Sequence, residues 1–97
     1  MRLISKKTIL HFITRYPETE QSLLTWHKEV KNVKWNAPAD IKSKYPSASI
    51  LNNNRVVFNL KGNKYRLIVR VNYVAKIVWI RFIGTHAQYD KINAETI

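Results

Sequence analysis

From Arg55 to Gly84 the chain repeats with a period of two, and that pattern leaves little choice of fold. Val56, Phe58 and Leu60 alternate with Arg55, Val57 and Asn59, as a strand with one buried face requires. Gly62-Asn63 supplies the residue types that a two-residue hairpin turn needs, because both can adopt left-handed backbone. Pairing across this turn sets Lys61 opposite Lys64, Leu60 opposite Tyr65, Asn59 opposite Arg66 and Arg55 opposite Arg70. The next strand runs from Lys64 to about Asn72, and a loop from Tyr73 to Lys76 leads into a third, Ile77 to Gly84. The register that keeps apolar residues together sets Leu67 opposite Phe82, Val69 opposite Ile80 and Ile68 opposite Arg81. A slip of one residue would bury the charges.

One face of this sheet then carries Val56, Phe58, Leu60, Tyr65, Leu67, Val69, Val71, Val78, Ile80 and Phe82, and is the expected core. The other carries Arg55, Asn59, Lys61, Lys64, Arg66, Arg70 and Arg81, with Val57, Ile68, Trp79 and Ile83 between them. Arg66 and Arg70 are expected diagonally either side of Arg81, within reach of long side chains. Three converging arginines beside a tryptophan make a phosphate-binding surface with a place for a base to stack.

The first half supplies the layer that covers the core. Arg2-Leu3-Ile4 is a very short candidate strand, after which Ser5 is placed to cap a helix. Ile9, Phe12, Ile13 and Tyr16 recur at helical spacing until Pro17. Thr19 is a candidate cap for a second helix whose stripe is Leu23, Trp26, Val30 and Val33. Trp35 to Ser49 reads as a connector with a short helix from Ala39 to Tyr45. The expected fold is α+β: two N-terminal helices packed on one face of a small antiparallel sheet, in a single domain spanning 1–97.

Charge narrows the function. The formal net charge is +11, from 17 Lys and Arg against 6 Asp and Glu. No acidic residue stands between Ala48 and Tyr89, whereas a merely solvated sheet face mixes signs. Nucleic acid is the first candidate partner for such an excess, ahead of an acidic protein or an anionic membrane. There is no cysteine, no apolar run near the ~20 residues of a membrane span, and no secretory leader at Met1. A soluble cytoplasmic protein with no membrane partner is expected. No His/Cys cluster or carboxylate pair stands at ligand spacing, so neither a metal nor a cofactor is expected.

Thr85-His86-Ala87-Gln88 is a capping-box pattern that starts a short C-terminal helix. His86 falls in its first turn and Tyr89 one turn on, both at the end of the strand that carries Arg81. A histidine, a tyrosine and arginines are the groups that acid–base chemistry on a phosphodiester needs.

Phe58-Asn59-x-x-Gly62-Asn63-x-Tyr65-Arg66-Leu67, followed by Ile80-Arg81-Phe82-Ile83-Gly84-Thr85-His86-x-x-Tyr89-Asp90, resembles the HigB host-inhibition toxins of the RelE superfamily. Leu3-Ile4-Ser5 and Ala39-Asp40-Ile41-Lys42-x-Lys44-Tyr45-Pro46 are similar to that family too, so the resemblance runs over essentially the whole chain. It implies a RelE-like fold and a metal-independent endoribonuclease that cuts mRNA, typically in the ribosomal A site. It also implies a cognate antitoxin, usually a helix-turn-helix protein of the HigA type, through which alone operator DNA is bound. RelE-type enzymes use sheet arginines and lysines plus a C-terminal tyrosine or histidine. The resemblance therefore implies catalytic roles for Arg66, Arg81, His86 and Tyr89, with Arg55, Asn59, Lys61, Asn63, Lys64 and Arg70 positioning the RNA. Asn59 stands near a position where relatives carry lysine, and His86 follows the glycine after which they often carry arginine. The reaction implied is attack of a ribose 2′-OH on the adjacent phosphate.

Two other readings fit the same charge. One is a non-catalytic RNA-binding or ribosome-associated module, and the other is an interaction domain for an acidic protein. Salt-dependent RNA binding separates these two, and mapped message cleavage separates both from a nuclease.

Overall fold

The computed structural model describes all residues, 1–97. Five strands form one sheet in the order β1-β5-β4-β3-β2: β1 (Arg2–Ile4), β2 (Ser49–Ile50), β3 (Arg55–Leu60), β4 (Tyr65–Asn72) and β5 (Ile77–Thr85). β3, β4 and β5 form an antiparallel meander, β2 adds a short antiparallel edge, and β1 lies parallel to β5. The helices are α1 (Lys6–Arg15), α2 (Glu20–Lys31), α3 (Pro38–Lys44) and α4 (His86–Tyr89). The fold is thus α+β as expected. The strand β2 begins at the last residue of what reads as a connector, and the sheet is mixed because β1 runs parallel to its neighbour.

Residues of α1, α2 and α3 meet the inner face of the sheet in one core. Ile9, Leu23, Trp26, Val30, Trp35 and Ile41 pack with Val56, Phe58, Leu60, Tyr65, Leu67, Val69, Val71 and Val78. Phe58 is its aromatic centre, 5.4 Å from the Trp26 ring, 6.3 Å from Trp35 and 5.2 Å from Tyr45. Val33 does not join the α2 stripe, because the helix ends at Lys31 and Val33 is exposed. Neither expected N-terminal cap forms through its side chain. Ser5 makes no capping bond, and Thr19 already has helical backbone after a short 3-10 turn at Pro17–Thr19. The Thr19 hydroxyl instead donates backwards to the Tyr16 carbonyl, 2.7 Å away, which satisfies a fully buried polar group.

The β3–β4 register is the expected one, from Leu60 opposite Tyr65 to Arg55 opposite Arg70. The turn has positive φ at Lys61, Gly62 and Asn63, and the Lys64 amide donates to the Lys61 carbonyl. The β4–β5 register is the expected one from Asn72 opposite Ile77 to Val69 opposite Ile80. A bulge then inserts Arg81, so Ile68 faces Phe82, and Leu67 faces Ile83 instead of Phe82. One extra residue on β5 moves every later side chain to the other face. Ile83, not Phe82, therefore packs against the core.

Candidate functional site

With the bulge in place the outer face is built as three cross-strand rungs. Asn59, Arg66 and Gly84 form the rung near the hairpin turn; Val57, Ile68 and Phe82 form the middle one; Arg55, Arg70 and Trp79 form the far one. The middle rung is apolar, and Val57 and Ile68 are buried although they lie outside the inner core. What covers this side of the sheet is α4 and the segment after it, which reaches Arg55 and Arg81 with the backbone oxygen of Ile97.

Beside the hairpin rung lies α4, which carries the candidate acid–base groups His86 and Tyr89. Arg66 Nη1 donates to the Asn63 carbonyl at 2.7 Å, which holds the guanidinium over the turn, and Arg66 Cζ lies 5.5 Å from the centre of the Tyr89 ring. Opposite Arg66 stands Gly84, which has no side chain to fill the space between them. A Cβ there would come within 2.4 Å of the Phe82 ring and 2.8 Å of Gln88 Oε1. The capping box that the sequence indicates is formed. Thr85 Oγ1 accepts from the Gln88 amide at 3.2 Å, and Gln88 Oε1 accepts from the Thr85 amide at 2.9 Å. The His86 amide also donates to the Lys64 carbonyl at 3.0 Å, which ties the start of α4 to the turn. His86 Nδ1 lies 3.0 Å from Asp90 Oδ2, one helical turn on, and both side chains are more than half exposed. That contact leaves Nε2 free to face a ligand.

The other expected site residues divide in two. Asn59 is on this rung, but its amide donates to the Ser47 carbonyl at 3.1 Å and braces the connector. Lys61 and Lys64 flank the turn, exposed, and Asn63 contributes its carbonyl to Arg66. Arg55, Arg70 and Arg81 gather instead at the far rung. Arg55 and Arg81 share the Ile97 oxygen, while Arg70 stacks 5.3 Å over Trp79. The expected convergence of Arg66, Arg70 and Arg81 is therefore corrected: the bulge sets Arg81 with Arg55, and Arg66 works with α4. The part played by residues 91–97 has no signal in the sequence, because the segment shows neither period.

No group of three or more His, Cys, Asp or Glu side chains is placed to hold a metal ion. No helix is long and apolar enough to cross a membrane.

Comparison with known proteins gives a concordant result. A family model described as HigB_toxin, RelE-like toxic component of a toxin-antitoxin system, matches residues 19–92. The chain is 27% identical over 95 residues to the mRNA interferase HigB of Escherichia coli O6:H1, an alignment covering 96% of the chain and 92% of that protein. It is 26% identical over 96 residues to the mRNA interferase toxin HigB of Escherichia coli K12, covering 97% and 92%. The mRNA interferase HigB of Shigella flexneri matches to the same extent.

Proposed function

The chain belongs to the HigB family of RelE-like toxins, toxic components of toxin–antitoxin systems, and from that premise we propose that it is an mRNA interferase cutting messages on translating ribosomes, with Arg66, His86 and Tyr89 at its centre. The observation that carries this reading is the meeting of Arg66, Tyr89 and the His86–Asp90 pair at one end of a face that has no acidic strand residue.

The geometry supports the following chemistry. With Nδ1 turned to Asp90, the His86 imidazole holds its proton there and presents Nε2 as the general base. It takes the proton of a ribose 2′-OH, and the oxygen attacks the adjacent phosphorus in line. Arg66 supplies positive charge to the pentacoordinate phosphorane. The P–O5′ bond breaks, and the Tyr89 hydroxyl gives its proton to the leaving oxygen. The products are a 2′,3′-cyclic phosphate and a 5′-hydroxyl. Asn59, Lys61, Asn63 and Lys64 position the strand around the turn. The whole of 1–97 acts as one toxin domain, and a cognate antitoxin covers or displaces part of the basic face and alone contacts operator DNA.

The test is cleavage in a purified translation system, with message ends mapped and their chemistry determined for wild type and Arg66→Ala. Cyclic-phosphate ends that vanish in Arg66→Ala support the reading. Intact messages with folded wild-type protein overturn it.

A further inference from the structure

The far rung holds three guanidiniums and no carboxylate side chain. The ion pairs of the molecule lie elsewhere, at Lys44–Glu29 and His86–Asp90. What Arg55 and Arg81 share is one backbone oxygen, and Arg55 Nη1 also donates to the Asn53 carbonyl at 2.9 Å. Ile97 O accepts from Arg55 Nη2 at 2.8 Å, Arg55 Nε at 3.2 Å and Arg81 Nε at 3.3 Å. N–H groups from two guanidiniums that converge on one acceptor are placed to make charge-assisted bonds to a phosphate. One acceptor oxygen does not balance three guanidiniums, so the cluster keeps a net positive charge. Burial and the neighbouring Arg70 and Arg81 hold the Arg55 guanidinium below its usual pKa. Arg70, stacked on Trp79, is fixed on the same rung.

We propose that Arg55, Arg70 and Arg81 form a second phosphate-binding site, which takes an RNA phosphate other than the scissile one, and that residues 91–97 lie in it as a competing strap. The inference rests on the RNA-cleaving reading above and adds to it a second contact and its regulation. Arg66 and Arg70 are four residues apart on β4, a span of roughly 13 Å along the strand. That is well beyond one phosphate step of a stacked strand, ~3.4 Å along its axis. One RNA strand crossing the face meets both sites, with the apolar rung between them. The strap is pinned by a second bond, from Asn53 Nδ2 to the Glu95 carbonyl at 3.1 Å. RNA entering the far rung must release it.

The experiment measures binding of fluorescein-labelled oligouridine by anisotropy, across salt, for the full chain and two variants. Arg55→Gln should weaken binding about tenfold, as loss of a charged hydrogen-bonding group does. It should also flatten the plot of log affinity against log salt by about 0.7. Asn53→Gly keeps the positive φ of that position and removes only the strap's anchor, so it should tighten binding roughly threefold. Hydrogen exchange at 92–97 should quicken when the RNA binds. Wild-type affinity in Arg55→Gln with an unchanged melting curve overturns the site. Unchanged affinity in Asn53→Gly, or slower exchange at 92–97 with RNA, overturns the strap. None of these readouts needs cleavage. If they hold while messages stay intact, the nuclease reading fails alone. If messages are cut but the variants bind as wild type, only this proposal fails.

Discussion

The guanidinium of Arg66 lies over the ring of Tyr89, with Cζ 5.5 Å from the ring centre, and so joins the middle strand of the sheet to the last helix. Arg66 is anchored by bonds to the Asn63 and Tyr65 carbonyls and fills no core space. Arg66→Ala should therefore keep its fold at a cost of about 1 kcal/mol, while cleavage falls ~100- to 1,000-fold. Rates and melting curves measured together check this, and a variant that cuts normally removes Arg66 from the chemistry.

His86 and Asp90 should separate by degree. On the proposed mechanism His86→Ala removes the proton acceptor and should slow single-turnover cleavage by ~100- to 10,000-fold. Asp90→Asn leaves the imidazole in place and should cost less. Binding of oligouridine should be unaffected in His86→Ala, since the far rung and the turn lysines are untouched. Equal losses in both variants would mean that the pair acts through the start of α4 instead.

Stability should depend on pH through Tyr65 and Glu18. The Tyr65 hydroxyl donates to Glu18 Oε2 across the N-terminal layer. That bond holds the Glu18 carboxyl below its ordinary range, with backbone hydrogen bonding adding to the effect. The contribution is fully present above the unfolded-chain value, ~4.3, and is lost as pH falls through the lower native value. The same bond, with burial, raises the Tyr65 phenol. Its contribution is present below the ordinary value of ~10 and is lost as pH rises through the higher native one. Melting temperatures against pH should flatten at both ends in Tyr65→Phe. Unchanged slopes would show that the bond does not form in solution.

Gly84→Ala should uncouple α4 from the sheet. The added methyl meets the Phe82 ring and the Gln88 amide of the capping box, an overpacking that costs ~1–3 kcal/mol. His86 and Tyr89 both ride on that helix, so cleavage should fall further than thermal stability alone accounts for. Circular dichroism melts beside the cleavage assay read the two effects separately.

The legible parts of this molecule are those where a turn or a cap fixes the phase of the pattern. Gly62-Asn63 pins the β3–β4 register, and Thr85 with Gln88 pins the start of α4, so Arg66, His86 and Tyr89 emerge together. The bulge is illegible because it falls in Ile80-Arg81-Phe82-Ile83, where either Phe82 or Ile83 can face the core. Alternation cannot place an extra residue inside an apolar run, and that one residue displaces Arg81 from its expected place opposite Ile68. β2 escapes for a different reason: two residues show no period. Thr19 has the side chain of a cap, but the 3-10 turn before it uses the hydroxyl elsewhere.

The parallel pairing of β1 with β5 sets an order on assembly. Arg2 lies against Ile77 and Ile4 against Trp79, so the first strand made is joined to the last. Closing that long a loop costs entropy that only a formed partner strand repays. A chain emerging from the exit tunnel therefore holds its N-terminal strand idle until β5 is out, and the same residues that finish the sheet bring α4 and its histidine after them. The last structural seam and α4 arrive within a few residues of each other, so a chain cut short before β5 also lacks the helix that carries His86 and Tyr89.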